Sequence, residues 1–245
     1  MNNVSYTRAV DILLLLSNLF ILIPAYRAYK WNRYTRAILF FTETWASFFY
    51  HACDSFNVCL GLPFSMWHVL DFLFATWMIW QAGLYIIDFK PRWLFLERWL
   101  FWLGGLFIGI FIAAFPQSQV PILATAGFAF LIVALYWLFY AWYAVGKGKY
   151  YKLPKYNWDY FLIGVMMLSF STMLFTVQNT WPMGYWGIHS LWHMMAGLGM
   201  DWLIQIKEPA QWWQTADASI QQRIIAPVPV LTLHKKQPQF TRKRH

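Results

Sequence analysis

Seven runs of mostly apolar residues, roughly 9–29, 37–56, 64–87, 98–115, 121–145, 160–178 and 187–206, decide what this chain can fold into. Each is close to the roughly 20 residues an α-helix needs to cross a hydrocarbon core. With 60% hydrophobic and 12% charged residues, and apolar positions in runs rather than at amphipathic spacing, the chain reads as an all-α membrane protein. The expected architecture is a seven-transmembrane-helix bundle over residues 1–207. Residues 208–245, polar and ending "KKQPQFTRKRH", read as a disordered basic tail able to touch anionic lipid.

A net charge of +9 raises the question of nucleic acid, and the distribution of charge answers it. Arg27, Lys30, Arg33 and Arg36 follow the first run; Lys90, Arg92 and Arg98 the third; Lys147, Lys149, Lys152 and Lys155 the fifth; the remaining basic residues are Lys207 and those of the tail. Only Arg8 falls on the other side. The positive-inside rule then places the N-terminus outside or in a lumen and the tail in the cytosol. The charge reports topology, and no nucleic-acid partner is expected.

The outer loops "DSFNVCLGLP", "PQSQVP" and "QNTWPMGYWG" are too short for an ectodomain. Cys53 and Cys59 fall in the first of these, on the side where an oxidising compartment permits a disulfide. "NVS" at Asn3 is a glycosylation sequon too near the first helix to expect its use. The first run can span by itself and lacks the flanks of a cleavable signal, so none is expected. The 17 tryptophans read as interfacial belts and bundle packing.

Against this background "SFFYHACDS", residues 47–55, is anomalous. Ionisable groups inside a span are costly, and they usually face the bundle interior and mark function. At about 1.5 Å of rise per residue, counted from Arg36, Asp88 and Lys207, His51 lies about 22 Å from the inner edge, Asp71 about 26, His189 about 27 and His193 about 21. Residues four apart share a helix face, which aligns Ser47 with His51 and, in "HSLWH", His189 with His193. A histidine pair at that spacing is a common way for one helix to offer two metal nitrogens, and a third histidine makes a three-nitrogen zinc site with a fourth position for water. A lone membrane histidine is more often a packing residue; the conjunction at one depth is what argues for a metal. His68, one turn before Asp71, is expected to pack near the outer interface, and His234 and His245 lie in the tail.

"FYHACD", the Asp of the third helix and "HSLWHMMAGLG" resemble the transmembrane protein 8 and myomaker family, part of the CREST superfamily with alkaline ceramidases and adiponectin-type receptors. The likeness runs through all seven helices. The superfamily signature of a Ser one turn before a His, an Asp in the third helix and a final His pair falls on Ser47, His51, Asp71, His189 and His193. The resemblance implies a zinc ion held by the three histidines in a lipid-accessible cavity. Ceramidases of the superfamily hydrolyse lipid amides, and a post-GPI-attachment lipase of the nearer branch cleaves an acyl ester. That lipase's large lumenal N-terminal part and myomaker's cysteine-rich tail are not expected in this chain, and the spacing from His51 to Asp71 departs from the ceramidase pattern. The metal site therefore transfers further than any one substrate.

The function expected is that of a zinc-dependent lipid hydrolase cleaving an amide or ester acyl linkage at the outer or lumenal leaflet. Asp71 is the expected proton carrier and Ser47 the oxyanion donor, with Asp54 or a backbone group as the alternative assistants. The rival is a non-catalytic myomaker-like fusion or receptor protein with a structural zinc, closed by His68, Cys53 or Asp54 as a fourth ligand. A retinal-binding receptor is excluded because every lysine lies in an inner loop or the tail. Plasma membrane, Golgi and endoplasmic reticulum all offer the required face. Glu43 and Asp201, about 10 and about 9 Å from the inner edge, are expected to pair with each other or with a cation such as Arg36.

Overall fold

In the computed structural model the described residues are 2–87, 89, 93–116, 118–146, 156–180 and 185–207. They are helical almost throughout, with no strand among them beyond a single bridge between Tyr156 and Lys207. The elements are α1 (Asn2–Ser17), α2 (Leu22–Lys30), α3 (Tyr34–Phe56), α4 (Phe64–Ile86), α5 (Leu94–Ala114), α6 (Val120–Gly146), α7 (Trp158–Val177) and α8 (Tyr185–Ile204). A 3₁₀ turn, Asn18–Ile21, joins α1 to α2, so the eight helices make seven rods. Asp88, Lys90, Arg92, the lysines from Lys147 to Lys155 and the whole tail, on which several expectations rest, lie outside the described residues.

The 3₁₀ turn has a local cause. Pro24 lacks a backbone donor and its ring crowds the carbonyl four residues earlier, that of Phe20, so the α-ladder cannot run straight through. Ser17 and Asn18 turn back instead, donating to the Leu14 carbonyl at 2.6 and 2.9 Å. Gly197 of α8 packs on this turn so closely that a Cβ there would sit 2.8 Å from the Phe20 carbonyl carbon. The rods α1–α2 and α8 thus meet through the bare backbone of one glycine, the close-approach geometry of helices in lipid.

Other ends are equally local. Asn57 adopts φ 55° as the left-handed residue that closes α3, and the Val58 amide reaches back to the Ala52 carbonyl at 3.3 Å. Cys53 and Cys59 form a disulfide across this end. The Asn157 side chain caps α7 by accepting from the Tyr160 amide.

α4 packs against α3, α5, α6 and α8, while α8 packs against α1, α2 and α7. Trp77 and Trp80 of α4 donate to the Phe101 and Leu100 carbonyls of α5, the bundle-packing role expected of tryptophan. Phe107, Phe130, Leu138 and Met166 point outward and are exposed, as befits a lipid-facing surface. Among the described residues five rods are long and apolar enough to cross a membrane: Ala9–Lys30 and α4 to α7. α3 and α8 have the length, 23 and 20 residues, but their apolar character is diluted by the buried polar groups that build the site. The chain is a multi-pass membrane protein.

Candidate metal centre

His51 near the end of α3 and His189 and His193 near the start of α8 reach toward one another with their side chains, and that places three imidazoles together. His51 Nε2 is 3.1 Å from His193 Nε2 and 3.2 Å from His189 Nε2, and all three rings are buried. Two nitrogens bound tetrahedrally at 2.0–2.1 Å to one zinc lie about 3.3 Å apart, so the triad is already at ligating separation. Its nitrogens fall within 4.8 Å of one another, and among the described residues no fourth His, Cys, Asp or Glu joins them. The i, i+4 spacing on α8 and the antiparallel packing of its neighbours bring together what the sequence places on two distant segments.

One contributor escaped the sequence reading. Gln178, in the 3₁₀ turn (Gln178–Thr180) after α7, meets His189 Nδ1 through its Oε1 at 2.6 Å. An amide oxygen can only accept, so the proton sits on Nδ1 and the Nε2 lone pair of His189 is directed at the other two histidines. A glutamine just outside a helix carries no sequence signal of its own; only the fold puts it behind the ring.

A cavity of about 230 Å³ adjoins the triad. Asp71, His189 and Gln178 line it with Tyr50, His68 and Tyr185, so it is an aromatic pocket with one carboxylate and one imidazole edge of the triad. Asp71 is buried, with Oδ1 free of any hydrogen bond. Ser47 is wholly buried and close enough to interact with Asp71, but its hydroxyl makes no hydrogen bond and it is not part of the cavity wall. His68 stays apart from the triad, its ring 4.5 Å from that of Phe72 and 5.1 Å from that of Tyr50, as packing at the pocket edge. Of the other residues weighed as ligands, Cys53 is taken up in the disulfide and Asp54 is exposed.

The expected pairing of Glu43 with Asp201 is overturned. Asp201 accepts from Arg27 Nε at 2.7 Å and Nη2 at 3.1 Å, and from Gln205 at 3.0 Å. Arg36 instead pairs with Glu97 of α5. Glu43 is wholly buried with neither oxygen hydrogen-bonded, and the acidic group near it is Asp71 of α4, not Asp201. Equal depth misled because depth ignores the direction in which each side chain leaves its helix: Asp201 turns toward α2 and Glu43 toward α4.

Residues 8–194 match a family model described as "Protein of unknown function (DUF3522)". The chain is similar to the post-GPI attachment to proteins factor 6 of Homo sapiens, 29% identical over 215 residues that make up 86% of this chain and 27% of that protein. The Mus musculus protein of the same name is 28% identical over 209 residues, 84% of this chain and 26% of that protein. Transmembrane protein 8B of Mus musculus is 25% identical over 198 residues, 79% of this chain and 40% of that protein. The chain therefore spans about a quarter of the length of the first two relatives.

Proposed function

The chain belongs to the DUF3522 family, and from its histidine triad we propose that it is a zinc-dependent lipid hydrolase of the CREST superfamily, cleaving an acyl ester or amide at the outer or lumenal leaflet. The observation that carries the reading is the convergence of three Nε2 atoms at 3.1 and 3.2 Å, one ring fixed in its ligating tautomer by Gln178, beside a cavity that also holds a carboxylate. Zinc held by His51, His189 and His193 would supply Lewis acidity and a water made acidic near neutral pH. In this reading seven rods cross the membrane, with the triad at the outer end and the tail in the cytosol.

The residues of the chain divide the remaining work. The aromatic walls of the cavity, Tyr50, Phe72 and Trp192 among them, exclude bulk water and hold the lipid's linkage against Asp71. Asp71 takes a proton from the attacking water as its oxygen bonds to the acyl carbon, and returns it to the leaving oxygen or nitrogen as the acyl bond breaks. Ser47, beside Asp71 and outside the cavity wall, steadies the carboxylate that does the proton transfer. The name of the relatives, factors acting after GPI attachment, is compatible with a lipid-anchored substrate.

One observation favours the rival: the triad ties α3 to α8, as a structural zinc in a myomaker-like fusion or receptor protein would. The absence of a fourth side-chain ligand among the described residues, and a carboxylate free in the adjoining cavity, support the enzyme. Asp71→Asn and Ser47→Ala remove no ligand, so both variants should keep about one zinc per chain. Turnover of a lipid panel scored by mass spectrometry should fall by about 10²–10⁴-fold for Asp71→Asn and about 10²–10³-fold for Ser47→Ala. Turnover unchanged in both, with zinc retained, would leave the structural-zinc reading standing.

A further inference from the structure

The cavity beside the triad holds two hydroxyls that the fold itself does not use. Tyr50, the residue before His51 near the end of α3, and Tyr185, one turn before His189 at the start of α8, both line it. The Tyr50 ring centroid lies 4.6 Å from that of His51 and the Tyr185 centroid 5.2 Å from that of His189, so each tyrosine stands beside a candidate ligand without being one. Each also lies near Asp71 and Asp54, and the two lie near each other. A tyrosine enclosed in a bundle normally finds an acceptor for its hydroxyl. Tyr85 has one in the Ile204 carbonyl at 2.8 Å, and Tyr156 has one in the Ile86 carbonyl. Among the described residues neither Tyr50 nor Tyr185 has such a partner, although Tyr50 is only 9% exposed.

Acyl transfer to water needs a donor in this place. When water adds to an acyl carbon, negative charge develops on the carbonyl oxygen, which is bonded to the same carbon as the incoming hydroxyl. The donor to that oxygen must therefore face the same small volume as the base that takes the water's proton. Ser47, the donor expected from the sequence, is not part of the cavity wall, whereas Tyr50 and Tyr185 share that wall with Asp71. Closeness to Asp71 also singles these two out from the other lining side chains able to donate. A phenol keeps its proton at neutral pH, so it can donate to a developing negative charge without opposing it. No Lys or Arg among the described residues lines the cavity to do this work by charge.

We propose that the Tyr50 and Tyr185 hydroxyls are the donors that hold the acyl oxygen of the substrate, in place of Ser47. This assignment rests on the hydrolase reading. As the water oxygen bonds to the acyl carbon and Asp71 takes its proton, the carbonyl π pair moves onto the acyl oxygen, which the two phenols stabilise by hydrogen bonds while keeping their own protons. The pair returns to carbon as the bond to the leaving oxygen or nitrogen breaks, and Asp71 gives that atom the proton.

The test uses the full zinc-loaded chain in neutral detergent with Tyr50→Phe and Tyr185→Phe, each of which removes one oxygen and breaks no hydrogen bond within the chain. Zinc content and unfolding temperature should therefore stay as they are in the unsubstituted chain. With the lipid that the unsubstituted chain turns over fastest, kcat should fall about 10²-fold in each variant while KM stays within about threefold, the mark of contacts made in the transition state. A second readout needs no turnover. Decyl trifluoromethyl ketone, whose hydrate imitates the tetrahedral intermediate, should raise the unfolding temperature saturably, with a half-saturating concentration about tenfold higher in either variant; decyl methyl ketone should not distinguish the three chains. Unchanged kcat in both variants of a chain that does turn lipid over would overturn the two donors and leave the hydrolase reading standing. A chain that turns over no lipid would sink the hydrolase reading, and the ketone titrations then decide the donors alone. Equal half-saturating concentrations in all three chains, or no response of the unsubstituted chain to the trifluoromethyl ketone, would overturn them.

Discussion

Replacing Gln178 by leucine is the sharpest probe of the metal centre, because it changes no ligand and little volume. Gln178 and His189 are 3% and 4% exposed, so bulk water has poor access to the 2.6 Å hydrogen bond to Nδ1, although both residues line the cavity. Losing the acceptor leaves a buried N–H unsatisfied, which costs about 1–3 kcal/mol. The ring can escape that cost by moving its proton to Nε2, and the proton then occupies the lone pair needed for zinc. Either way the penalty falls on the metal-binding form, and partners of this kind change metal affinity by about 10–100-fold, or about 1.4–2.8 kcal/mol. Competition for zinc against a chelator of known affinity measures it directly. Gln178→Leu should bind about 10–100-fold more weakly, whereas Gln178→Glu, which restores an acceptor, should bind at least as tightly as the unsubstituted chain. An affinity for Gln178→Leu within about twofold of the unsubstituted chain would refute the argument that this hydrogen bond sets the tautomer.

Three further outcomes follow from the same geometry. His51→Ala, His189→Ala and His193→Ala should each lose stoichiometric zinc by elemental analysis, while His68→Ala, outside the triad, keeps it. Asp201→Asn weakens a two-pronged pair with a partly exposed Arg27 and should lower unfolding free energy by about 1–2 kcal/mol, less than a fully buried pair would, as read by thermal unfolding in detergent. Gly197→Ala puts a methyl 2.8 Å from the Phe20 carbonyl carbon, backbone that cannot swing aside, and should cost about 1–3 kcal/mol; an unchanged unfolding temperature would mean that α8 does not press on the 3₁₀ turn.

Much of the architecture was legible in the residues because lipid imposes it locally. A run of apolar residues of spanning length has to be helical, and the boundaries of α4 at Phe64–Ile86 fall close to those expected of the third run. The triad was legible for a similar reason: residues four apart on a helix share a face whatever surrounds them, and ionisable groups at one depth have few places to go but the interior. The 3₁₀ turn at Asn18–Ile21 has its signal in Pro24, inside the first apolar run. Which groups meet across the bundle is a different kind of fact. Helix rotation and crossing are set by packing, by Gly197 on Phe20 and by Trp77 and Trp80 on α5, and these turn Asp201 to Arg27 rather than to Glu43. The same packing places Gln178 behind His189 and brings Tyr50 and Tyr185 near Asp71. Depth along the membrane normal is a one-dimensional quantity that a sequence carries in its residue count; the angle at which a side chain leaves its helix toward a particular neighbour is decided by all the helices together.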